Sequence, residues 1–236
     1  MKQFISQMSG QFYAKTDRSL SDPHQIAYIR NLHREIKQQD VLNIPLDELE
    51  VVVFDIETTG FHPFKGDRLL SIGAVKMQGD LILEENTFYS MVHCIGDPSE
   101  QIEKLTGITK EQLMEAPPLE EVLKDFYRYV GSDALVAHHS NHEKQFMKHA
   151  SWTALKTVFQ HRVLDTSFLT SITHPESGLF TLDDYCDYYE ISIQQRHHAL
   201  YDALAAAKLW SESIRQVRGM GYAHLNEIYA QLAKLK

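Results

Sequence analysis

Long apolar runs are missing from this chain. No stretch approaches the ~20 consecutive apolar residues that a membrane-spanning helix needs. Met1–Met8 carries no apolar segment followed by a small-residue cleavage site, so neither a membrane span nor a secretory signal is expected. Cysteine is scarce: Cys94 and Cys186 lie far apart, in no CxxC pair and near no ligand-spaced histidine. That gives no disulfide framework, marks both as packing residues and makes the cytoplasm the expected compartment. Excess positive charge is absent too, with 23 Lys and Arg against 32 Asp and Glu and a net charge of −9. That balance argues against a broad basic face for duplex DNA. A polyanionic substrate is not, because carboxylates can hold divalent cations and those cations can bind phosphate. Repeats and low-complexity tracts are lacking as well. The rest is 236 residues of ordinary globular composition, 43% hydrophobic and 23% charged.

The periodicities divide the chain into an N-terminal helical appendage over 1–45, a main domain over 46–217 and a last helix within 218–236 that packs on that domain. Ser21-Asp22-Pro23 has the form of a helix start, and Ile26, Ile29, Leu32 and Ile36 make a helical stripe running to about Gln39. Val51–Phe54 is too apolar for a half-exposed strand and reads as one buried on both faces. Leu69–Val75 and Leu81–Val92 follow as strands joined through the Gly79-Asp80 turn. Helical patterns then open at Thr109, at Leu119, at Asn141 as a cap, at Thr181 and at Ala199. Short strands are expected at Ala134–Ala137 and Val163–Thr166, and the last helix over about Ala223–Leu235. The predicted fold class is α/β: a mixed sheet with an antiparallel three-strand start, flanked by helices.

The first strand ends in Asp55-Ile56-Glu57-Thr58-Thr59-Gly60. Residues i and i+2 share a face, so Asp55 and Glu57 stand side by side. Two like charges this close raise each other's pKa unless a cation neutralises them. Alone, the pair reads first as a strand end whose carboxylates face water. Glu143 falls in the first turn of the helix after Ala134–Ala137, where the helix dipole alone would favour an acid. Asp202 interrupts an apolar helix face made with Ala199, Ala203, Ala206 and Leu209 and needs a partner. His197, five residues earlier, fits the loop entering that helix. Asp165 reads as a helix cap. Together Asp55, Glu57, Glu143, Asp202 and His197 fall at element ends, where sites of open α/β sheets gather. Such a set suits two-metal phosphodiester hydrolysis. Its oxygen ligands select Mg²⁺ or Mn²⁺ over Zn²⁺, and imidazole can take up the proton of an attacking water.

Phe54-Asp55-Ile56-Glu57-Thr58-Thr59-Gly60 resembles the first motif of the DEDDh 3′–5′ exonucleases, the family that includes proofreading epsilon subunits of bacterial DNA polymerase III. His197-His198-Ala199-Leu200-Tyr201-Asp202 matches that family's HxAxxD motif. Leu105–Thr109 with Ala116-Pro117, and Val163–Thr166, resemble its connecting segments. The likeness covers about residues 49–214. It implies a ribonuclease H-like fold, two divalent ions (Mg²⁺ or Mn²⁺) held by Asp55, Glu57 and Asp202 with Asp55 bridging, and His197 as general base. Thr58, Thr59, Gly60 and His138 would contact the 3′-terminal nucleotide. Phe61 stands where the family often has Leu, placed to stack on the terminal base.

One motif departs. The family reads His-Asn-x-x-Phe-Asp where this chain has His138-His139-Ser140-Asn141-His142-Glu143, so Glu143 replaces an Asp as metal ligand and reaches about 1.3 Å further. The expected activity is hydrolysis of single-stranded or frayed DNA 3′ ends to nucleoside 5′-monophosphates, with a DNA polymerase or a repair complex as partner. No residue decides between DNA and RNA, so an exoribonuclease or oligoribonuclease is the alternative. A catalytically weak nucleic-acid-binding scaffold is the third reading.

Overall fold

The computed structural model describes residues 23–94, 96 and 98–234. Five strands form one sheet in the order β3-β2-β1-β4-β5. They are β1 (Glu50–Thr58), β2 (Leu69–Gln78), β3 (Leu81–Met91), β4 (Ala134–Ala137) and β5 (Val163–Asp165). β1 pairs antiparallel with β2 and parallel with β4; β2–β3 is antiparallel and β4–β5 parallel. The expected mixed sheet with an antiparallel three-strand start is therefore present. Nine helices occur among the described residues: α1 (Pro23–Gln38), α2 (Glu100–Thr106), α3 (Lys110–Glu115), α4 (Leu119–Val130), α5 (Asn141–Leu155), α6 (Ser167–Thr173), α7 (Leu182–Tyr188), α8 (Ala199–Gly219) and α9 (Leu225–Lys234). None is long and apolar enough to cross a membrane.

The two-face burial of β1 sorts its side chains. Val52, Phe54 and Ile56 pack with residues of α1, α4 and α5 in one core cluster. Val51 and Val53 pack with α6, α7, α8 and α9 in the other. By strand alternation Asp55 and Glu57 share the side of Val51 and Val53, facing α8. β3 alternates only weakly because it is an edge strand, half-exposed throughout, and its pairing with β2 shifts register after Val75. Cys94 and Cys186 are both free and buried, as packing residues should be.

Some boundaries differ from the sequence expectation. Asn141 is not a cap: Ser140 holds the N-cap position of α5 with helical dihedrals and no side-chain cap bond. α5 runs to Leu155, past the expected end near Ala150. α2 and α6 are short helices without a sequence stripe. Ser99 caps α2 through the Ile102 amide, and Gly107, in the left-handed region, closes it. α9 starts at Leu225, because the Glu227 carboxylate accepts the Ala223 and His224 amides before the first turn. Ser21, Asp22 and Leu235 of the sequence reading lie outside the described residues.

Candidate active site

α8 delivers Asp202 to the end of β1. Its first turn lies directly on β2, and Gly73 makes that possible. A Cβ at Gly73 would sit 2.1 Å from the Leu200 amide nitrogen. Gly73 is also the cross-strand partner of Asp55, so the close approach falls beside the acid pair. The His198 ring stacks on Tyr89 of β3, with centroids 4.5 Å apart and planes 20° from parallel, fixing the chain as it enters α8. His197 takes φ +57°, uncommon for a residue with a side chain. That turn aims its backbone N–H at Asp202 Oδ2, 3.0 Å away.

Asp55, Glu57 and Asp202 each offer a carboxylate oxygen within 4.8 Å of the others. Glu143 lies outside that tight group but close enough for its charge to act on Asp55. All four are held above their ordinary carboxylate range. Burial is the first cause in every case. For Asp55, pushed well up, the charges of Glu143, Glu57 and Asp202 add to it. Glu57 is raised to about 8, with Asp202 adding and Arg196 opposing. Glu143 reaches about 8, its own backbone N–H opposing and Asp165 and Glu57 adding. Asp202 is raised less, because Arg196 offsets its burial. Asp202 Oδ1 and Glu143 Oε2 are buried with no hydrogen-bond partner. Buried polar atoms are ordinarily satisfied. A crowded set of protonation-prone carboxylates with two unpartnered oxygens fits a site for hard divalent cations.

Arg196 is the cation the sequence reading missed. Its guanidinium donates to Asp202 Oδ2 and, through Nε and Nη2, to both oxygens of Asp183 in α7, at 2.5 and 3.1 Å. Asp165, at the end of β5, ties loops rather than metal. Its Oδ2 accepts the Ser140 amide at 2.6 Å and its Oδ1 the Ser167 amide at 2.9 Å, bracing the starts of α5 and α6. Burial would raise its pKa, but these bonds outweigh it and hold it low.

The residues expected to meet substrate are dispersed around this centre. Phe61 is 78% exposed, its ring meeting the edge of His142 at 5.6 Å. Thr58 Oγ1 donates to the Gly60 carbonyl at 2.7 Å, and Thr59 Oγ1 accepts the Arg68 amide at 2.9 Å, so both hydroxyls serve the loop. Gly60 lets the loop pass close to Asp67: a Cβ there would fall 2.5 Å from the Asp67 carboxylate, which accepts the His62 amide and would have to shift. His138 is held neutral, its pKa lowered to about 4 by burial and by His139. Its Nε2 faces the Phe180 carbonyl at 3.2 Å and its Nδ1 the Thr166 hydroxyl at 2.7 Å, so both ring nitrogens are taken by protein groups.

The RNase T-type exonuclease family matches residues 52–210 of this chain. A DNA polymerase III of PolC type from Caldanaerobacter subterraneus subsp. tengcongensis is 34% identical over 185 residues, covering 78% of this chain and 13% of that protein. The chain thus spans about an eighth of the length of such relatives. Exonuclease X in complex with 5′-overhanging duplex DNA superposes with a TM-score of 0.57 at 20% identity, over 76% of this chain and 98% of that one. The nuclease domain of 3′hExo, a DEDDh family member bound to rAMP, gives 0.58 at 18% identity, over 71% and 92%. The fold is therefore ribonuclease H-like, and the family match places both acid-bearing ends, β1 and the start of α8, inside its span. The chain belongs to the DEDDh 3′–5′ exonuclease family.

Proposed function

We propose that this chain hydrolyses DNA from single-stranded or frayed 3′ ends, releasing nucleoside 5′-monophosphates by a two-metal mechanism. The observation that carries this is the convergence of Asp55, Glu57 and Asp202 within 4.8 Å, with a buried Asp202 oxygen that no protein donor meets. Asp55, Glu57 and Asp202 hold the cations, Mg²⁺ or Mn²⁺, and Glu143 completes the acidic wall beside Asp55. Bound divalent cations supply charge neutralisation at the scissile phosphate and ease deprotonation of the attacking water. His197 accepts that proton. Its ring is carried by a turn whose N–H is anchored on Asp202, so base and acid move as one unit. Phe61 stacks on the terminal base. Because the Thr58 and Thr59 hydroxyls serve their own loop, that segment meets the terminal nucleotide through its backbone. His138 orders the loop after β4 through Thr166 and the Phe180 carbonyl.

DNA is the favoured substrate because the PolC-type polymerase relative is far closer in sequence than the rAMP-bound neighbour, 34% against 18% identity. The same relation supports work beside a DNA polymerase in a cytoplasm, with a repair complex as the other partner this reading allows. In this reading the catalytic body is residues 46–217, with 1–45 an N-terminal appendage and the helix within 218–236 packed on the body. Digestion of matched 5′-labelled single-stranded DNA, duplex DNA and RNA in Mg²⁺ and in Mn²⁺ decides the substrate. Faster shortening of single-stranded DNA supports this reading; faster shortening of RNA replaces it with an exoribonuclease.

A further inference from the structure

A second cavity, of 580 Å³, lies at the open edge of β5, away from the acidic centre. Four cations line it: Lys37 at the end of α1, Lys144 and Lys148 on α5, and Arg162 just before β5. No Asp or Glu lines it. Among the described residues none of the four has a carboxylate within ion-pair distance, whereas Lys76, Lys104, Lys124, Arg128, Arg196, Arg215 and Arg218 all do. In a chain with a net charge of −9, four unneutralised cations around one hollow are a local reversal of sign. Tyr229 of α9, 41% exposed, adds an aromatic face to the same hollow. Basic side chains beside an exposed ring suit a single nucleic-acid strand, phosphates on the cations and a base on the ring.

Position links this hollow to the acidic centre. Lys144 follows Glu143 directly, and Lys148 lies one turn further along α5. The helix that brings an acid to the scissile bond thus carries cations away from it at a rise of about 1.5 Å per residue. Two walls come from outside the family match: Lys37 from α1 and Tyr229 from α9 both fall beyond residues 52–210.

We propose that this cleft holds the backbone of the substrate strand upstream of its 3′ end, with α1 and α9 serving as its walls. The proposal rests on the exonuclease reading above. It makes length the signature: a long strand reaches the cleft and a dinucleotide does not.

The test uses the full chain and a Lys148→Ala/Arg162→Ala double variant, both sites being exposed on the surface. Fluorescence anisotropy in EDTA follows binding of a labelled 20-nucleotide single strand across a salt series, with DNA and RNA strands run in parallel. Hydrolysis of a 5′-phosphorylated dinucleotide in Mn²⁺ is the control, and melting curves check folding. The proposal predicts affinity for the 20-mer lowered about tenfold and a salt slope shallower by about 1.4, at ~0.7 for each lost phosphate contact. Dinucleotide hydrolysis stays at the wild-type rate. Unchanged 20-mer affinity and slope overturn the proposal and assign the cleft to another anion. Equal losses on dinucleotide and 20-mer overturn it as well, because the two residues then belong to the catalytic centre. A wild-type chain that cleaves neither substrate defeats the exonuclease reading, while the EDTA binding arm still decides the cleft.

Discussion

Glu143 and Asp202 each keep a buried carboxylate oxygen that no protein donor meets. Leaving such an atom unsatisfied costs about 1–3 kcal/mol, more when charged, so each oxygen is a ready acceptor for a bound cation. His197 carries the proton transfer in this account. His197→Ala is expected to lower the rate ~10²–10⁴-fold at neutral pH in single-turnover assays while leaving divalent-cation binding intact. A rate within a factor of two of wild type would remove it from the mechanism. Glu143→Asp restores the family's residue and draws the carboxylate back by about 1.3 Å. Because Glu143 stands outside the tight acid group and acts on Asp55 by charge, this variant should retain or raise activity, read as initial rates in Mg²⁺ and Mn²⁺. Complete loss would mean that the β4–α5 corner has a geometry of its own. At this scale the clustering of Asp55, Glu57 and Asp202 was legible because each acid interrupts or ends an apolar element, whereas His197, in the turn before α8, stands out only through the motif it shares with Asp202. Arg196 was not legible. Its partner Asp183 lies thirteen residues away in α7, and only the fold brings the two together. Asp165 was expected to be the helix cap, but Thr166 holds that position in α6, and the Asp165 clamp on Ser140, crossing from β5 to α5, leaves no mark in local sequence.

The start of α8 is the element on which the site depends. Gly73 admits it, the His198–Tyr89 stack holds it, and the His197 turn and Arg196 secure Asp202 within it. Gly73→Ala drives a Cβ into the α8 backbone, where no flexible side chain can yield. Overpacking of this kind costs about 3 kcal/mol. Chemical denaturation should register that loss, and activity should fall because Asp202 is displaced from Asp55. A Gly73→Ala protein of wild-type stability and rate would contradict the close approach. Gly73 reads in sequence as one more small residue in a strand, since its neighbour Leu200 arrives 127 positions later. The strands of the buried sheet and the long amphipathic α4 were visible in their patterns. α6 was not: Ser167–Thr173 is rich in Ser, Thr and β-branched residues of low helix propensity. It forms because Leu169 and Thr170 are buried and Asp165 accepts the Ser167 amide.

Across the whole molecule, the acidic centre makes stability depend on pH in a definite direction. Glu57 and Glu143 keep their protons up to about 8 when folded, against 4.5 when unfolded. Between those values the folded chain holds more protons, so stability falls as pH rises. His138 acts in the opposite sense, held near 4 against 6.5, but its window closes at 6.5. From pH 6.5 to 8 the carboxylates set the slope. In EDTA, Tm is expected to fall across that range, and Mg²⁺ or Mn²⁺ to raise Tm and flatten the dependence, since a bound cation replaces the protons. A Tm that rises through this window in EDTA would contradict the buried acid cluster. The fold class could be read from strand order and alternation. The basic cleft could not, because its walls come from five separated stretches of the chain.

The central claim is a cation-dependent nuclease acting from 3′ ends, with Asp202 in its metal site. The most direct test is a time course on a single-stranded DNA labelled at its 5′ end, comparing wild type in Mg²⁺, wild type in EDTA and Asp202→Asn in Mg²⁺. The account predicts a ladder that shortens from the 3′ end with nucleoside 5′-monophosphates released in Mg²⁺ alone, and no shortening in the other two lanes. An intact strand in the first lane, or a ladder of wild-type rate from Asp202→Asn, would contradict it.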